Sequence, residues 1–172
     1  EILEKEKILI LNFEVRTGKT HIALDIAKNY GNVLFVTKLK AISSIQNDYN
    51  AAAHNFDITI INYESLHKIN DKFDLVIADE SHSLGAFPKP SKRAKELKRL
   101  VLNDLILMTG TLTPESNSQI YHQLWISFFS PFRHYKNFYA FHNDLGSSDV
   151  VYTSYGTKES YKKIDYNRIK NE

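Results

Sequence analysis

Three short clusters hold most of the side chains in this 172-residue chain that could do chemistry: Glu14–Thr20 (EVRTGKT), Asp79–His82 (DESH) and Thr109–Thr111 (TGT). The first lies between an apolar run, Ile8–Leu11, and an amphipathic run, Ile22–Ala27. A strand, a tight turn and a helix are therefore written around Gly18-Lys19-Thr20, where a phosphate-binding loop belongs. Free amides and the positive dipole end of the helix seat anionic oxygens, and Lys19 adds a point charge. Thr17 and Gly18 shape the turn, and Thr20 can offer its hydroxyl to a magnesium ion. Arg16 either touches phosphate or pairs with a nearby acid. Phe13 stands where the usual pattern has a glycine, five positions before Gly18, so this loop alone is an incomplete match.

Asp79-Glu80-Ser81-His82 ends the apolar run Leu75–Ala78. A nucleotide hydrolase needs one carboxylate for magnesium and a second to orient the attacking water. Adjacent residues at a strand end project in different directions, so Asp79 can serve the metal and Glu80 the water. The bland alternative is an acidic pair at a helix start, favoured by the dipole. Lys19 upstream tips the reading towards catalysis.

The elements that must position these clusters follow from apolar periodicity. Runs at 33–36, 58–61, 73–78 and 105–108 read as further strands buried on both faces. Helices are expected over 41–53, near 64–68, from a Ser91 cap to about Leu102, and over 115–128, with Gly31 stopping the first helix. Strands alternating with helices mean an open, mostly parallel α/β sheet, whose ligands bind at the carboxyl ends of the strands. Thr17–Thr20, Thr37-Lys38, Asn62-Tyr63-Glu64, Asp79-Glu80 and Thr109-Gly110-Thr111 each follow an apolar strand directly. All five clusters should share one edge. After Ser130 aromatic and basic residues crowd together, and 146–172 is polar with scattered tyrosines and little periodicity.

Composition sets outer bounds. A content of 42% hydrophobic and 24% charged residues reads as one soluble, globular domain, and no apolar run reaches the ~20 residues of a membrane span. The absence of cysteine removes disulfides and thiolate metal sites. The histidines lack metal-ligand spacing, so no zinc site is expected. A net charge of only +2 means that nucleic-acid binding must come from local patches. The cytoplasm suits this composition. A first residue of Glu1 fits a fragment of something longer.

Taken together, the clusters resemble the first RecA-like lobe of superfamily 2 helicases and translocases, in the Swi/Snf-like branch with its phage-encoded relatives. Glu14–Thr20 matches motif I of that branch, where a non-glycine at the Phe13 position is common. Asp79–His82 matches its DEAH-type motif II, and Thr109–Pro114 with Asn117 resembles its motif III. Thr37-Lys38 falls at motif Ia and Asn62-Tyr63-Glu64 at motif Ib. The segment Pro131–Phe141 is similar to the one that follows motif III. The resemblance implies a RecA-like P-loop lobe, an α/β fold with a mostly parallel central sheet flanked by helices. It also implies ATP and Mg2+ as cofactors: Arg16, Thr17, Gly18, Lys19 and Thr20 at the nucleotide, Thr20 and Asp79 at the metal, and Glu80 at the water. His82, Thr109, Gly110 and Thr111 would couple the nucleotide to motion. Thr37, Lys38, Asn62 and Tyr63 would lie along a nucleic acid, double-stranded DNA in this branch.

The family also needs a second RecA-like lobe, with the arginine finger that completes the site, and nothing after Thr111 resembles one. Residues 1–145 would form the ATP-binding lobe and 146–172 an extension towards the missing lobe. The chain alone is expected to be an ATP hydrolase of weak activity. A restriction-type motor lobe, or a non-hydrolysing nucleic-acid- or protein-binding module with this fold, are the alternatives. The basic run Lys89, Lys92, Arg93, Lys95, Lys98 and Arg99 reads as a solvated helix face, with DNA or partner contact as its rival. The aromatic residues from Tyr121 to Phe141 read as core and lobe-packing surface rather than a base-stacking platform.

Overall fold

The computed structural model describes residues 2–14, 17–52, 54–154 and 156–169. A one-turn helix α1 (Ile2–Glu6) leads into strand β1 (Ile8–Asn12), followed by α2 (Lys19–Ala27), β2 (Asn32–Thr37), α3 (Ile42–Ala51) and β3 (Asp57–Asn62). A 3₁₀ turn, Tyr63–Lys68, leads on to β4 (Leu75–Asp79), and another, Ser81–Leu84, leaves it. Helix α4 (Lys92–Leu100) then feeds β5 (Asp104–Thr109), which is followed by α5 (Gln119–Trp125) and α6 (Phe138–Leu145). The sheet runs β1-β5-β4-β2-β3 with every pairing parallel.

The continuous apolar runs are explained by burial on both faces. Val33 and Phe35 of β2, Leu75 and Ile77 of β4, and Ile106 and Met108 of β5 pack under α2 and α3. Their alternate neighbours Leu34, Val36, Val76, Ala78, Leu105 and Leu107 pack on the other face with α4, α5 and α6. Such two-sided burial is the usual state of parallel strands. The aromatic segment serves this second layer: Tyr121, Phe132, Phe138 and Phe141 are all buried there. Phe128, Phe129 and Tyr139 remain exposed.

Four sequence expectations need correction. The helix expected from Glu115 starts only at Gln119, because the Gln119 side-chain oxygen accepts from the Glu115 and Ser116 amides at 2.9 and 3.4 Å and holds them in a turn. The helix expected to reach Leu102 ends at Leu100. Phe73 precedes β4 as a buried anchor instead of starting the strand. The polar stretch after α6 forms an antiparallel hairpin, β6 (Gly146–Thr153) and β7 (Gly156–Ile164), with a short α7 (Tyr166–Ile169) behind it. Three side chains of the loop before α5 fasten this hairpin. Ser116 Oγ donates to Lys162 O at 2.5 Å, Asn117 Nδ2 to Ile164 O at 3.4 Å, and Ser118 Oγ to Tyr161 O. The Tyr161 ring also packs edge-on against Phe138, Tyr139 and His142.

The basic run is likewise only partly a solvated face. Ser91 caps α4 by accepting from Ala94 N at 3.2 Å. Arg93 then pairs with Glu64, and Arg99 donates to the carbonyls of Leu66 and Ile69 at 3.2 and 2.7 Å. Lys98 donates to Trp125 O at 2.5 Å with its ammonium 4.2 Å from the Trp125 ring centroid. Three of the cations therefore dock the helix onto its neighbours.

The turn after β4 and the start of α5 are in very close contact. A Cβ built on Gly85 would lie 2.7 Å from the Gln119 carbonyl oxygen and 2.8 Å from Gln119 Cβ. Gly85→Ala is therefore expected to cost about 1–3 kcal/mol of stability, measured as a lower urea midpoint at unchanged slope.

Candidate functional site

Parallel register brings the strand ends level. Asn12 lies beside Thr109, Thr37 beside Asn62, and Asp79 beside Met108. The residues that follow these ends surround a cleft of about 630 Å³, whose walls include Gly18, Lys19, Thr20, Asp79, Glu80, His82, Gly110 and Thr111. His21, Asp48 and Pro114 also line it. Asp48 is a polar position on α3, and no sequence signal separates it from its solvated neighbours.

The loop after β1 is built by its own backbone. Thr17 Oγ1 donates to Glu14 O at 2.7 Å, and Gly18 adopts φ +81°, a left-handed conformation that L side chains rarely enter. Gly18 caps α2, so the first amides of that helix have no upstream carbonyl partner. Lys19 Nζ donates to Phe13 O at 2.6 Å and Glu14 O at 2.9 Å, which parks an ammonium against the loop. Among the described residues no hydrogen bond takes up the Thr20 hydroxyl. Val15 and Arg16 lie outside the described residues, and with them the expectation for Arg16.

Asp79 is held from two sides. Thr37 Oγ1 donates to its Oδ2 at 2.8 Å and the Glu80 amide to its Oδ1 at 3.0 Å. Burial raises the Asp79 pKa above the ordinary carboxylate value despite the Thr37 bond and nearby Lys19, which lower it; the neighbouring Glu80 adds to the rise. Glu80 sits at φ 53°, ψ 45°, a left-handed backbone unusual outside glycine. Its Oε1 lies 3.4 Å from Lys38 Nζ and its Oε2 3.4 Å from His82 Nδ1. That histidine nitrogen is also 3.1 Å from Thr109 Oγ1. Thr109 spends its hydroxyl hydrogen on Thr111 O at 2.9 Å, so His82 Nδ1 is the donor in that contact. Below the turn, Ser81 Oγ donates to Gln123 Oε1 at 3.0 Å, and the sequence reading gave neither residue a role of its own.

The four residues expected along a nucleic acid divide. Thr37 is fully buried against Asp79, and Tyr63 is buried with its hydroxyl donating to Asp79 O at 2.5 Å. Burial pushes the Tyr63 pKa well above its ordinary value, so that hydroxyl stays protonated. These two side chains face inward and brace the acidic turn, where the resemblance set them along a nucleic acid. Asn62 accepts from Ser65 N at 2.9 Å and caps the following 3₁₀ turn. Lys38 stays at the surface.

The donor set fits a phosphate ester with magnesium. Unpartnered helix amides and an ammonium suit phosphate oxygens. Thr20 and Asp79 offer two hard oxygens to one cleft, and magnesium takes one or two protein oxygens plus water and phosphate. Among the described residues no group of three His, Cys, Asp or Glu side chains could hold a metal by itself.

Comparison with known proteins bears on the fold. No protein-family profile and no curated protein matches the chain. Among solved structures it is similar to the SWI2/SNF2 ATPase core of Sulfolobus solfataricus in complex with dsDNA, with a TM-score of 0.59 and 15% identity over 80% of this chain and 34% of that one. It is also similar to the Hef helicase domain of Pyrococcus furiosus, with a TM-score of 0.54 and 18% identity over 73% of this chain and 34% of that one. The likeness is one of fold: a mostly parallel central sheet flanked by helices, as in a RecA-like lobe. The chain spans about a third of the length of each of these structures.

A raised carboxylate pKa means that the folded state takes up a proton more readily than the unfolded one. Asp79 therefore opposes folding at neutral pH, and this penalty is relieved as pH falls through its raised pKa towards the ordinary value of 3.8. Asp79→Asn is expected to raise the thermal midpoint at pH 7, with the difference from wild type shrinking as pH falls through that window. A variant less stable than wild type at pH 7 would count against this account.

Proposed function

We propose that this chain is the ATP-binding lobe of a nucleic-acid-dependent ATPase, a helicase or DNA translocase of the Swi/Snf-like, phage-type DEAH-box branch. The observation that carries this reading is the convergence of Lys19, Asp79 and Glu80 on one cleft at the carboxyl edge of the sheet. Lys19 and the first amides of α2 hold the β- and γ-phosphates. Thr20 and Asp79 hold magnesium, which supplies charge neutralisation on the phosphates. Glu80 orients the attacking water, and its left-handed backbone sends its side chain in a different direction from Asp79. His82, Thr109, Gly110 and Thr111 couple the cleft to motion.

The partner in this reading is double-stranded DNA, as in the similar Sulfolobus structure, which is a complex with dsDNA. Residues 1–145 form the lobe and 146–172 an extension towards a second RecA-like lobe, which brings the arginine finger. Among the described residues no helix is long and apolar enough to cross a membrane. Placement in the cytoplasm belongs to the same proposal.

In the natural full-length protein, Glu80→Gln is expected to lower DNA-stimulated ATP hydrolysis at least ~100-fold while ATP still binds. Lys19→Ala should weaken ATP binding itself. Unchanged turnover in Glu80→Gln would sink the catalytic assignment, and a non-hydrolysing module would show no DNA-stimulated turnover in wild type either. The chain without its second lobe should turn over ATP roughly 10³-fold or more slowly than the intact protein.

A further inference from the structure

A residue that orients a water needs a free carboxylate oxygen aimed at the phosphates, yet Glu80 is paired with Lys38 and has His82 beside its other oxygen. Oε1 faces Lys38 Nζ and Oε2 faces His82 Nδ1, each at 3.4 Å. The backbone of Glu80 offers no compensating movement. Its amide donates to Asp79 Oδ1, its carbonyl accepts from Ser83 N at 3.0 Å, and the next residue is tied through Ser81 to Gln123. Side-chain rotation is the freedom that remains, and Lys38 opposes it.

Lys38 is the first residue past β2, at the lip of the carboxyl edge, with half of its side chain exposed. Lys40 is exposed beside it, and Leu39 between them is 69% exposed. Lys38 thus touches the acidic turn with its ammonium while facing solvent along its stem. A polyanion laid across this lip competes with Glu80 for that ammonium. Phosphate backbones are bound largely by such lysine contacts.

We propose that Lys38 is a positioning residue that holds Glu80 out of register with the phosphates until a nucleic-acid phosphate takes the lysine. Binding of the polymer is thereby converted into release of Glu80 for hydrolysis. This rests on Glu80 being the residue that orients water, and it adds how DNA reaches that residue. A half-exposed ion pair of this kind shifts a population by about two- to fivefold. Steering by Lys38 is therefore a modest tuning, additive to the completion of the site by a second lobe.

The test uses the natural full-length protein, with short duplex DNA as the probe. Lys38→Gln should raise DNA-free ATP hydrolysis about two- to fivefold and lower the ratio of DNA-stimulated to DNA-free rate by the same factor. With the protein ¹³C-labelled at glutamate carboxyls, duplex DNA should move the Glu80 resonance in wild type. In Lys38→Gln that resonance should already be displaced and should stay put when DNA is added. The proposal is overturned if the variant keeps the wild-type DNA-free rate and stimulation ratio. It is equally overturned if the wild-type resonance does not respond to duplex DNA, or still responds in the variant. Failure of the underlying reading looks different: Glu80→Gln would then hydrolyse ATP like wild type. The resonance measurement decides the Lys38 contact whether or not ATP is turned over.

Discussion

A carboxylate taken out of water must find donors, and Asp79 finds them in Thr37 and the Glu80 amide. Much of the cleft follows from this requirement. Satisfying Oδ2 ties the end of β4 to the end of β2. Satisfying Oδ1 turns the chain back on itself and brings Glu80 to φ 53°. Tyr63 closes the same turn from the β3 side by donating to Asp79 O. Three neighbouring strands of the sheet are thus locked together at the edge where charge is gathered. The desolvation cost is borne at the wall of that cleft, and clefts are a common location for strain and shifted pKa values.

The sheet and the loop at Gly18 were legible in the sequence because each rests on a short-range rule. Two-sided burial makes a parallel strand continuously apolar, so the runs beginning at Val33, Ile58 and Leu105 stand out. A helix start needing φ above zero asks for Gly18. The hairpin after α6 had no such signature. Val150, Val151 and Tyr152 are exposed, and the fastening bonds come from Ser116, Asn117 and Ser118, more than 40 positions away. No local pattern encodes an anchor of that range.

Thr37, Tyr63 and Lys98 show a second limit. Sequence position places all three at a strand end or on a charged helix, and composition then suggests an outward, solvated role. Direction is decided by partners instead. Thr37 turns to a buried carboxylate, Tyr63 to a carbonyl, and Lys98 to the Trp125 ring and carbonyl. Burial holds the lysine pKa below its ordinary value. The sequence therefore located the cleft but not which of its neighbours support it from within.

The three bonds that hold β7 all end on main-chain carbonyl oxygens, of Tyr161, Lys162 and Ile164. A carbonyl is present whatever side chain is attached. The hairpin can thus exchange most of its surface residues without losing its seat, provided Ser116, Asn117 and Ser118 are kept. Tyr152, 84% exposed on β6, sits where such exchange is cheapest. The chain in this way mounts the hairpin through main-chain atoms and leaves its outer side chains free of that task.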